Sequence, residues 1–278
     1  MAQRIIWGFA LGFAFIFFAF QSLLWVLLLF GIIQVLAQAE YLNLVPGLKL
    51  RMRVQHLVFS TLVWLVASLA ALGTVHGGLL GVVIVLTILL YAVPMLQAFE
   101  TDGDPQRFLL LIRAVLLVTL PLAFVTAVTA WPGEFPYLLL LIGASWGADS
   151  GAYFAGKLLG QHQLAPRLSP KKTKEGVIGG LCAAAAIWAA VPWLYQSIAS
   201  PFDTLAGLPL WLISVIAAGG GALLALIGVA GDLTYSMFKR LAGVKDYGGV
   251  IPGHGGILDR FDSMLFVAPV LYLVCLFA

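Results

Sequence analysis

Long apolar stretches recur along this chain with short polar connections between them, and an α-helix needs about 20 mostly apolar residues to cross the hydrocarbon core of a bilayer. By that ruler the crossings fall at roughly 5–20, 22–38, 55–73, 79–97, 108–130, 136–156, 176–196, 208–230 and 263–277. The reading is an all-α, polytopic integral membrane protein with about nine transmembrane helices. Fusing the first two segments across Gln21 and Ser22 leaves eight. Of the residues, 62% are hydrophobic and 10% charged, against about a quarter charged in soluble domains, which excludes a water-solvated globular domain. No Pro-rich linker, Ser/Gln-rich tract or acidic tail interrupts the pattern. Residues 1–278 therefore read as a single membrane-embedded domain, with scaffold and dimer helices in 1–130 and catalytic helices and cytoplasmic loops in 136–278. Arg4 precedes an apolar stretch that lacks a convincing small-residue cleavage site, so it reads as a retained first span. Cys182 and Cys275 have no ligand-spaced partners and read as small core residues.

The basic residues set the orientation, because short cytoplasmic loops collect Lys and Arg. With nine spans and a cytoplasmic N-terminus, every cation falls on one side: Arg4, Lys49, Arg51, Arg53, Arg107, Arg113, Lys157, Arg167, Lys171, Lys172, Lys174, Lys239, Arg240, Lys245 and Arg260. The opposite loops carry only His76, Glu134 and Asp203. The expected location is the cell inner membrane, multi-pass, with the C-terminus on the far side. Orientation alone accounts for this sidedness, although a basic cytoplasmic face also suits lipid headgroups and nucleotide phosphates.

Three features go beyond what insertion needs. Asp149 lies inside an apolar segment, where a carboxylate costs on the order of 3 kcal/mol and ordinarily faces a wet cavity or a partner. On a helix Ser145, Asp149, Tyr153 and Lys157 form one stripe, and Gly143, Gly147 and Gly151 a second on which a neighbouring helix can approach closely. The plain alternative is an interhelical hydrogen bond. Next, Leu164 to Gly176 reads LAPRLSPKKTKEG: Pro166 and Pro170 interrupt helix, and Ser169, Lys171, Lys172, Thr173 and Lys174 concentrate donors for phosphate, or simply anchor the loop inside.

The third feature runs from Gly231 to Ser263. Asp232, Ser236, Lys239 and Arg240 share a helical face. Lys245 and Asp246 follow, and then a glycine-rich run around Pro252 and His254, whose backbone can approach a phosphate. Asp259 and Asp262, on either side of Arg260, share a face where the chain re-enters the membrane. Carboxylates on two segment ends among Lys, Arg and His are the arrangement expected where Mg²⁺ bridges protein acids and nucleotide phosphates, so phosphoryl or nucleotidyl transfer is the reaction class. Structural pairing of Asp259 or Asp262 with Lys239 or Arg240 is the competing explanation. His56, His76 and His162 lack metal spacing and read as interfacial.

The run SMFKRLAGVKDYGGVIPGHGGILDRFD, from Ser236 to Asp262, resembles the signature of the phosphatidate cytidylyltransferase (CDP-diacylglycerol synthase) family. The SPKKT stretch at Ser169 to Thr173 and the region from Asp149 to Gly156 resemble family blocks as well. The resemblance implies transfer of CMP from CTP to phosphatidic acid, giving CDP-diacylglycerol and pyrophosphate. It implies Mg²⁺, a monovalent cation such as K⁺ beside it, and a homodimer among membrane lipids, with no nucleic-acid partner. By that resemblance Asp232 and Asp259 are brought together to hold metal, with Lys239, Arg240, His254 and Arg260 catalytic. Ser169, Lys171, Lys172, Thr173, Ser236, Lys245, Asp246, Asp149 and Asp262 bind or orient substrate. The rivals are a CTP-dependent lipid or polyprenol kinase and an ion-coupled transporter; no inverted repeat is evident between the halves to support the transporter.

Overall fold

The computed structural model describes residues 15, 17, 21–73, 105–131, 137–194, 205, 207–250 and 255–277, with backbone alone at 105–108 and 277. The expected segment 79–97, all but two residues of 5–20, and Arg4, His76 and His254 lie outside the described residues.

The apolar runs become helices because lipid offers the backbone no hydrogen-bond partner and a helix satisfies its own. In chain order they are α1 (Leu23–Asn43), α2 (Leu50–Ala71), α3 (Pro105–Ala114), a π-helical turn (Val115–Thr119), α4 (Leu120–Thr129), α5 (Tyr137–Ile142), a second π turn (Gly143–Gly147), α6 (Ala148–Leu159), α7 (Lys174–Leu194), α8 (Leu210–Leu241) and α9 (Leu258–Phe277). Among the described residues five helical stretches are long and apolar enough to cross a membrane: Leu23–Asn43, Leu50–Ala71, Leu109–Thr129, Lys174–Leu194 and Leu210–Leu241. The segment expected to lack structure between α6 and α7 is a two-stranded antiparallel hairpin, β1 (Gln163–Ala165) and β2 (Ser169–Thr173). Pro166 sits in its turn, and Pro170 is tolerated on a strand with only one neighbour.

The chain divides into two compact units. One comprises Met1–Ala130 and Asp246–Arg260, the other Trp131–Lys245 and Phe261–Ala278.

In the first unit, Leu42, Val45, Leu48, Phe59, Val63, Leu111 and Val115 form an apolar cluster. A buried polar layer crosses it. Gln34 Nε2 donates to Thr119 Oγ1 at 3.2 Å, Thr119 Oγ1 donates to Gln38 Oε1 at 3.4 Å, and Gln38 Nε2 lies 2.6 Å from His56 Nε2. Such bonds tie helices together where lipid cannot compete for the polar groups. They overturn the interfacial placement of His56, which is 6% exposed.

In the second unit the glycine stripe packs as its spacing predicts. A Cβ on Gly143 or Gly147 would come within 2.8 or 2.7 Å of Ile187 on α7, and one on Gly151 within 2.9 Å of the Gly179 carbonyl. On α8, a Cβ on Gly231 would fall 2.8 Å from Phe266 of α9. Cys275 is buried, but Cys182 is exposed on α7 and is no core residue.

Candidate active site

In the second unit α6, β2, α7 and α8 enclose a cavity of about 390 Å³. Its polar lining comes from three separate stretches of sequence: Asp149, Tyr153 and Lys157 on α6, Lys171, Lys172 and Thr173 on β2, and Asp232 on α8. Asp149, Tyr153 and Lys157 line the open side of the cavity, while Gly151 on the same helix packs closely against Ala183 and Gly179 of α7. The registration of α6 follows directly on the Gly143–Gly147 π turn, a feature that often marks functional helices.

Burial along β2 does not alternate, and Lys171, Lys172 and Thr173 at its end all line the cavity. Thr173 is also structural, since its Oγ1 accepts the Gly176 N–H at 3.0 Å and satisfies one of the free donors at the start of α7. Lys172 Nζ pairs with the Asp232 carboxylate, and Ser236 Oγ donates to Asp232 Oδ1 at 3.2 Å. Asp149 Oδ2 accepts a hydrogen bond from Ser263 Oγ on α9 at 3.2 Å. The charges acting on the buried Asp262 are those of Asp232, Lys239 and Asp149.

α8 continues past residue 230, where the apolar pattern stops, and carries Asp232, Ser236, Lys239 and Arg240 as helical residues. It ends at Leu241, and Gly243 two residues on turns the chain away with a left-handed φ of 71°. There the Gly243 and Val244 N–H groups donate back to the Arg240 and Lys239 carbonyls. Arg240 spends two donors on backbone, Nε on the Leu168 carbonyl at 3.4 Å and Nη1 on the Val244 carbonyl at 3.3 Å, so it links the hairpin to the end of α8. Ser169, Ser236, Lys239, Arg240, Lys245 and Asp262 belong to this unit but do not line the cavity.

Asp246, Asp259 and Arg260 belong to the first unit. There Asp259 Oδ2 accepts the Tyr247 N–H at 2.9 Å and the Gly256 N–H at 3.0 Å, which folds the connection onto the start of α9. Gly255 makes the turn with φ 83°, and a Cβ there would touch Asp259 Oδ2 at 3.0 Å. Reading the sequence missed Glu40. It is 3% exposed near the end of α1, and its two carboxylate oxygens accept the Ile257 and Leu258 N–H groups, each at 2.9 Å. An acid this close to the membrane-buried part of α1 is the signal that could have drawn attention to it.

The donor set suits a hard cation. Asp149 and Asp232 both line the cavity, and Mg²⁺ is commonly held by one or two carboxylates together with substrate phosphates. Cationic and acidic side chains in one semi-enclosed space are what a nucleotide triphosphate and its metal require.

Comparison with known proteins identifies the family. The sequence model of the cytidylyltransferase family matches residues 2–278. A Bacillus subtilis protein named phosphatidate cytidylyltransferase is 34% identical over 228 residues, 72% of this chain and 79% of the relative. Proteins of that name from Staphylococcus saprophyticus and Staphylococcus haemolyticus are 44% identical over 135 residues, 49% of this chain and 47% of each relative. The chain thus spans about half the length of these staphylococcal relatives.

Proposed function

This chain belongs to the cytidylyltransferase family, and on that premise we propose that it is a membrane-embedded phosphatidate cytidylyltransferase, which makes CDP-diacylglycerol and pyrophosphate from CTP and phosphatidic acid. The observation that carries the reading is the cavity where Asp149, Lys171, Lys172 and Asp232 meet from three segments. The names of the relatives supply the substrates.

A phosphate oxygen of phosphatidate attacks the α-phosphorus of CTP in line. The new O–P bond forms as the bond to the β-phosphate bridge breaks, and pyrophosphate leaves. Phosphatidate is already an anionic nucleophile, so no covalent enzyme intermediate is needed, and the protein's tasks are positioning and charge neutralisation. Lys171 and Lys172 bind phosphate oxygens, with Lys157 at the same wall. Lys239 and Arg260, with His254, complete the cationic set by the family resemblance. Asp232 would hold Mg²⁺ at the cavity; a metal-binding role for Asp259 and an accompanying K⁺ rest on the family resemblance alone. A magnesium ion held at the cavity would supply neutralisation of the charge that builds up on the phosphate oxygens.

One substrate carries acyl chains and the other is water-soluble, so the site belongs at the membrane surface. The charge distribution supports a cell inner membrane location with the N-terminus and the hairpin cytoplasmic. Assembly as a homodimer belongs to the same proposal and rests on the resemblance.

The test is a product assay on pure protein. CTP and phosphatidate should give CDP-diacylglycerol and pyrophosphate with Mg²⁺ present, and neither when it is chelated. Phospholipid kinase products, a phosphorylated lipid plus CDP, would replace this reading with the kinase. Ion-coupled uptake without nucleotide would replace it with the transporter.

A further inference from the structure

The connection between α8 and α9 is held by an acid that the reaction as written does not use. Glu40 lies on α1, 217 and 218 residues away in sequence from the two amides it binds, Ile257 and Leu258. These amides lie at the N-terminal end of α9, Leu258 as its first residue and Ile257 just before it, where N–H groups have no partner within the helix and the helix dipole is positive. One carboxylate oxygen serves each amide, a two-point grip that fixes direction as well as position.

The neighbouring sequence is cut to fit this carboxylate. A Cβ on Gly248 would fall 2.5 Å from Glu40 Oε1, and one on Gly256 2.5 Å from Oε2. The next residue of α1 continues the contact, with Tyr41 stacked on Tyr247 at a 6.5 Å centroid separation and 19° between planes. Tyr247 and Gly256 are also the two residues whose N–H groups bind Asp259 Oδ2. The end of α1 therefore holds the same backbone that holds Asp259.

We propose that Glu40 is a positioning residue: its carboxylate fixes the start of α9 and the turn before it, so that Asp259 and Arg260 are presented in one orientation. The proposed activity enters only through the role of Asp259, while the grip itself stands on the geometry.

Two readouts on the purified full-length protein separate the two. Hydrogen exchange without substrates reports the grip. In the parent protein the Ile257 and Leu258 amides should be protected, and in Glu40→Gln, which replaces one acceptor by a donor facing an N–H, they should exchange at least tenfold faster. Steady-state CDP-diacylglycerol synthesis reports its consequence: kcat should fall at least tenfold and half-saturating Mg²⁺ should rise, with the CTP KM little changed. Gly248→Ala, which crowds the carboxylate from the loop side, should do the same. It decides the matter alone if Glu40→Gln does not fold. Unchanged exchange in the folded variants overturns the grip. Faster exchange with unchanged kcat and Mg²⁺ dependence overturns the positioning role. A parent protein without synthesis but with amides released by Glu40→Gln would count against the proposed activity and leave the grip standing.

Discussion

Lys172 on the hairpin and Asp232 on α8 form an ion pair at the wall of the cavity, with side chains 25% and 20% exposed. They are separated by the whole of α7, and the pair ties the hairpin to α8. The acid suited to a metal is already matched with a cation suited to a phosphate. Substrate and metal binding would redistribute these partners without bringing a new charge into an apolar place.

Lys172→Gln should weaken nucleotide binding more than chemistry. A charge-assisted hydrogen bond is worth about 1.5–3 kcal/mol, so the CTP KM should rise roughly ten- to a hundredfold, with kcat changed much less. Initial-rate kinetics at saturating phosphatidate check this.

Gly151→Leu should damage the fold around the site. Its side chain would be driven into α7 at Ala183 and Gly179, and overpacking of this kind costs about 1–3 kcal/mol. Thermal unfolding in detergent should show the loss, and synthesis should fall as α6 carries Asp149 and Lys157 out of register.

His56→Ala should take from Gln38 Nε2 its contact in the buried layer while Oε1 keeps Thr119, at a cost of about 1–3 kcal/mol. Stability should drop while the KM for CTP stays unchanged in the protein that remains folded. A changed KM would mean that the polar layer of the first unit takes part in binding.

Much of the cavity was legible in the sequence because its signals are local. Asp149 stands out as a charge inside an apolar segment, and the four-residue steps to Tyr153 and Lys157 define one helical face. Lys171 and Lys172 stand out by composition. What the sequence concealed depends on partners that leave no mark on side-chain type. Glu40 binds backbone amides, which every residue but proline has, and its two glycines look like flexible loop until the carboxylate is placed beside them. Arg240 looks like a phosphate ligand, yet two of its donors go to carbonyls. The hairpin was hidden by prolines that usually mark a loop, and the π turn before Asp149 has no pattern of its own in the hydrophobic period.

The most direct test follows the α-phosphate of CTP in the parent protein and in Asp232→Asn side by side. With label at that position, Mg²⁺ and phosphatidate, the parent should move label into lipid with one pyrophosphate released per lipid labelled. The variant should fold normally and transfer roughly a hundredfold more slowly or worse, the scale of losing one charge-stabilising group. Label that stays in the nucleotide with the parent protein, or transfer at the parent rate in Asp232→Asn, would contradict the account.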